Sequence, residues 1–63
     1  MEQIVKPILN NYYGAVEVYL RDGKYYLTLE DWSVRYGVEI SKELALSIRE
    51  YFKVHREVEK LDF

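Results

Sequence analysis

Apolar and polar positions alternate most clearly between Val16 and Glu30, in two runs joined by Asp22-Gly23. Asp-Gly between alternating runs predicts a β-hairpin, because a type I′ turn needs positive φ at both central residues. With that pair as the loop, Tyr19 faces Tyr26, Val18 faces Leu27, Glu17 faces Thr28 and Val16 faces Leu29. One face collects Val16, Val18, Leu20, Tyr25, Leu27 and Leu29. The other collects Glu17, Tyr19, Arg21, Lys24, Tyr26 and Thr28. A slip by one residue would destroy that sorting.

Alternation resumes at Val34, Tyr36, Val38 and Ile40 after Glu30-Asp31-Trp32-Ser33, which reads as a four-residue connection. Pairing Leu29 with Val34 puts Leu27 opposite Tyr36 and Tyr25 opposite Val38, and sets the Tyr26 ring across from Gly37. Ser41 is a natural N-cap, and helix formers then run to about Lys60. Leu44, Ile48, Tyr51, Phe52, His55 and Val58 make the predicted apolar stripe, with Ala45 beside it. Residues 1–11 fit a short helix or an edge strand. Pro7 favours the irregular or edge-strand reading, because it lacks a backbone donor. Gly14 marks a bulge or bend in the strand that starts at Tyr12.

The fold expected is α+β, one domain over 1–63: a three-stranded antiparallel meander, with or without a short N-terminal edge strand or helix, packed against one long C-terminal helix. The competing reading makes Thr28 to Tyr36 a helix ended by Gly37, which gives helix-turn-helix. The alternation of β-branched Val34, Val38 and Ile40 favours the strand.

A 63-residue chain buries too little surface for ample stability, and it has no cysteine to staple it. Self-association, most simply as a homodimer, is therefore expected. Val54, Leu61 and Phe63 lie beyond the main stripe and are the candidate dimer contacts. A net charge of −2 argues against broad affinity for nucleic acid or anionic membranes. No apolar run suggests a membrane span and no basic start suggests a signal peptide, so an intracellular, cytoplasmic protein is expected. Few amides and much Glu, Lys, Arg, Val and Ile give a thermophile-like composition.

No catalytic motif, metal signature or phosphate loop occurs, so neither an enzyme nor a cofactor is expected. His55 is the single histidine and reads as structural. Glu30-Asp31 keeps a turn soluble or, less simply, holds a cation. Trp32 reads as a lid folded back on the core, or else as an exposed loop anchor. The helix carries balanced charge, which reads as a solvated face. Tyr13, Tyr19 and Tyr26, with Arg21, Lys24 and Arg35 around them, fall on the sheet face away from the helix. Tyrosines there read as a cross-strand stabilising pair or as a partner-binding surface. Near-balanced local charge favours a protein partner. The alternative is nucleic-acid binding by a ribbon, by base stacking on the sheet, or by a recognition helix.

Two resemblances bear on this. The run Val34-Arg35-Tyr36-Gly37-Val38-Glu39-Ile40-Ser41-Lys42-Glu43-Leu44-Ala45 resembles the strand-to-helix junction of ribbon-helix-helix repressors, although nothing after Lys60 can supply that family's second helix. Val16-Glu17-Val18-Tyr19-Leu20 with Gly23, followed by Tyr36-Gly37-Val38, is similar to small phage anti-CRISPR proteins of the type I-F inhibitors, with one residue's difference in spacing. That resemblance implies a virus- or mobile-element-encoded inhibitor that blocks a host protein by binding it, with no catalytic residues.

Overall fold

The computed structural model describes residues 1–11, 14–57, 59 and 61, without the side chains of residues 8–11. Four strands, β1 (Glu2–Asn11), β2 (Gly14–Arg21), β3 (Lys24–Asp31) and β4 (Val34–Ile40), precede one helix, α1 (Lys42–Tyr51). The strands form one antiparallel sheet in the order β1-β2-β3-β4. This is the expected α+β meander, with the N-terminal segment as its edge strand. The β2–β3 register is the predicted one from Val16↔Leu29 to Arg21↔Lys24. Asp22 and Gly23 take φ of 51° and 78°, the left-handed pair that a type I′ turn requires.

Strand β1 pairs irregularly with β2. The register shifts between Gln3 and Val5, and again between Val5 and Leu9. Pro7 lies within the second shift, where a residue with no N–H disturbs the ladder least. Gly14 makes no bulge in the β2–β3 ladder, contrary to expectation; it pairs directly with Asp31. A Cβ there would collide with the Glu30 carbonyl oxygen, so the glycine permits close approach of two backbones.

The β3–β4 connection differs from the prediction. It is a two-residue loop, Trp32-Ser33, closed by Asp31↔Val34. The register therefore slides by two residues, to Leu29↔Tyr36, Leu27↔Val38 and Tyr25↔Ile40. A shift of two preserves the side-chain faces, so Val34, Tyr36 and Val38 still join the apolar face. Gly37 lies opposite Thr28, and Tyr26 opposite Glu39. The tight loop exists because Trp32 adopts φ +58°, a conformation uncommon for a bulky residue and not signalled by a glycine or asparagine. Thr28 to Tyr36 is thus strand, turn and strand, which removes the helix-turn-helix reading.

Ser41 caps α1 as predicted, its Oγ accepting from the Leu44 N–H at 3.0 Å. The helix ends at Tyr51, well short of Lys60. Phe52 and Arg56 lie beside Ile4, Val5 and Lys6 of edge strand β1. Beyond that edge the described residues offer no sheet to cover, and helix propensity without packing is not enough. Arg56 instead donates to the Pro7 carbonyl at 2.9 Å and ties the following segment to β1.

The buried helix face also differs from the predicted stripe. Ala45, at 0% exposure, packs with Val5 and Val18, flanked by Ile48, Phe52, Tyr25, Leu27 and Ile40. Ala45, Ile48 and Phe52 follow i, i+3, i+7 spacing. Ala45, the smallest of them, is the one that is wholly buried. Leu44 and Tyr51 are exposed instead. His55 is exposed beyond the helix, where its ring stacks on Tyr51 at 4.4 Å, while Val58 lies outside the described residues. Among the described residues no helix is long and apolar enough to cross a membrane.

Candidate protein-interaction surfaces

Among the described residues, the outer sheet face gathers the side chains the sequence placed there. Tyr19 pairs with Tyr26, Arg21 with Lys24, and Arg35 with Glu30. The Arg35 guanidinium lies 4.6 Å from the Tyr19 ring centre and that of Arg21 lies 5.2 Å from the Tyr26 ring centre, both within cation–π range. Tyr19, Arg21, Tyr26, Thr28, Arg35 and Gly37 line a shallow concavity of about 320 Å³. The missing side chain at Gly37 deepens its floor. Tyr13 lies outside the described residues.

Beneath this surface lies Glu17, which the alternation places on the outer sheet face. Glu17 is only 5% exposed. Its Oε2 accepts from Gln3 Nε2 at 2.5 Å and from the Tyr19 hydroxyl at 2.9 Å. Arg35 Nη2 lies 3.8 Å from Oε1, which has no hydrogen-bond partner among the described residues. The Glu17 carbonyl accepts from the Thr28 hydroxyl at 3.3 Å. Arg35 also binds Glu30 at 2.5 Å, and this bond holds the guanidinium firmly protonated. Burial, then the bond to Glu17, pushes the Tyr19 hydroxyl above its ordinary pKa of 10.0. The signal for this cluster was partly legible. Glu17, Tyr19 and Thr28 share a face in the predicted hairpin, but the four-residue loop put Arg35 out of place.

The inner face carries a second surface. Helix α1 packs on β1 and β3, and Val16, Leu27, Leu29, Tyr36 and Val38 line an open apolar concavity of about 450 Å³ on the sheet. Leu29 is 51% exposed, Val34 51%, Tyr36 59% and Val38 59%. These residues are continuous by register: Leu29 pairs with Tyr36, and Val34 and Val38 flank Tyr36 on the same face. Isolated apolar residues on a surface are ordinary, whereas a contiguous patch marks an interaction site.

The remaining candidates are scattered. Trp32 is 67% exposed in the β3–β4 turn, so the lid reading is replaced by an outward-facing position. Val54 and Leu61 are also exposed, and Phe63 lies outside the described residues. Glu30 is engaged by Arg35, and no group of three or more His, Cys, Asp or Glu side chains is placed to hold a metal ion among the described residues. Comparison of the chain with known families, characterised proteins and solved structures finds no match.

Proposed function

We propose that the protein is a non-catalytic protein-binding module whose principal contact surface is the apolar patch on β3 and β4. The observation that carries this reading is the exposure of Leu29, Val34, Tyr36 and Val38 on one continuous sheet face. Burying such side chains contributes about 25 cal/mol per Å² before the costs of association. An inhibitor that works by covering a host protein's surface, as the anti-CRISPR resemblance implies, is one such module. A second reading places the partner in the outer concavity, which Tyr26 and Arg21 help to line. Stacking of nucleobases on that face is disfavoured, because guanidinium groups already lie over both tyrosine rings and acidic Glu17 and Glu30 lie beside them.

The test is affinity capture from lysate of the native source, with and without nuclease, using the wild-type chain and two variants as baits. Tyr36→Thr/Val38→Thr keeps strand propensity and removes apolar area. Tyr26→Thr changes the outer face alone. The expected result is a nuclease-resistant partner that the first variant loses, by roughly 2 kcal/mol per central residue, and that Tyr26→Thr retains. The opposite pattern moves the interface to the outer concavity, and capture abolished by nuclease overturns the protein-binding reading.

A further inference from the structure

The two edges of the sheet are built differently. Strand β1 carries Pro7 and two register shifts, devices that blunt an edge against pairing. Strand β4 has neither: its seven residues pair regularly with β3 on one side and, among the described residues, have no strand on the other. A two-residue hairpin closes on a hydrogen-bonded pair, here Asp31 and Val34. Alternation from that pair directs the N–H and C=O groups of Val34, Tyr36, Val38 and Ile40 to β3. Those of Arg35, Gly37 and Glu39 then point to the open edge.

We propose that the protein forms a twofold-symmetric dimer by antiparallel pairing of β4 with β4 of a second copy, centred on Gly37. That axis sets Gly37 opposite itself, Arg35 opposite Glu39, Tyr36 opposite Val38 and Val34 opposite Ile40. Hydrogen-bonded pairs fall on the residues whose backbone groups face outward. The outer face gains two Arg–Glu pairs and the inner face gains apolar pairs throughout. Charge selects this register. Moving the axis to Arg35 or to Glu39 keeps the same backbone parity but sets two like charges directly opposite. Glu39 has no ion-pair partner among the described residues. Arg35 uses Nη2 for Glu30 and Glu17 and retains further N–H donors on the guanidinium. The product is one continuous eight-stranded sheet, with the two apolar patches adjoining across the axis.

The experiment measures mass by sedimentation equilibrium from tens of micromolar downward. The wild-type chain is expected at twice its 7.6 kDa mass. Glu39→Arg sets Arg opposite Arg twice and is expected to weaken the dimer about tenfold or more. Arg35→Glu sets Glu opposite Glu and weakens it likewise, while mixing the two variants restores opposite charges at both positions and recovers dimer mass. Hydrogen exchange on the wild-type chain gives a readout free of any variant: the Arg35, Gly37 and Glu39 amides are expected to be protected in the dimer and to lose protection on dilution. A monomer throughout the range overturns the proposal. So does a dimer indifferent to Glu39→Arg whose Gly37 amide exchanges freely, as face-to-face packing of the apolar patches would give.

Discussion

Replacing Tyr19 by Phe removes one oxygen atom and reads the worth of the Glu17 cluster directly. The hydroxyl donates to Glu17 Oε2 at 2.9 Å, and the Glu17 side chain is only 6% exposed. A hydrogen bond to a charged group contributes about 1.5–3 kcal/mol, and a carboxylate cut off from water cannot replace a lost donor freely. Tyr19 is only half-buried and Gln3 still donates to the same oxygen, so the lower part of that range applies, about 1.5–2 kcal/mol. In a domain of this size each kcal/mol shifts the melting temperature by roughly 4–8 °C, which gives a fall of about 6–16 °C. Tyr26→Phe is the control. Tyr26 lies opposite Tyr19 with an arginine over its ring, but its hydroxyl makes no hydrogen bond among the described residues. Its removal should cost no more than about 0.5 kcal/mol. Urea denaturation of the three proteins at one fixed concentration gives the comparison. Equal losses for the two variants would refute the idea that the hydroxyl–carboxylate bond, and not the ring, holds the outer face.

The same hydroxyl predicts an alkaline dependence. Because folding raises the Tyr19 pKa above 10.0, its neutral form is the one the fold favours. Its contribution is complete below the unfolded value and is lost as pH rises through the folded one. The stability gap between wild type and Tyr19→Phe should therefore be constant through neutral pH and narrow above about pH 10, measured by denaturant melts across the range. The β3–β4 turn supplies another test. At φ +58°, Trp32 occupies a conformation that disfavours any side chain but suits glycine. Trp32→Gly should be more stable than Trp32→Ala by about 1 kcal/mol, since both delete the ring and only the backbone preference differs. Equal stabilities would mean that the turn relaxes to a negative φ once the indole is gone.

By itself the sequence determined the central hairpin, the sorting of faces from Val16 to Leu29 and from Val34 to Ile40, and the start of the helix. These are local matters. The Asp22-Gly23 pair has one comfortable turn geometry, a period of two admits one sorting of faces, and Ser41 offers the oxygen that the first helical turn lacks. Tertiary structure decided where elements stop and which side chains are hidden. The slide of β4 by two residues left the face pattern intact, so alternation could not detect it, and the signal lay in a tryptophan that no turn rule places at positive φ. The helix end was illegible for a similar reason. Residues after Tyr51 can all be helical, but the sheet they would cover ends at β1. The burial of Glu17 depended on Gln3, Tyr19, Thr28 and Arg35 arriving from four strands at once. The apolar patch exists for a reason of extent: a helix of ten residues lies across a sheet of four strands and leaves part of β3 and β4 uncovered. Period and propensity choose the face of an element, but only the assembled layers set how much of that face another element reaches.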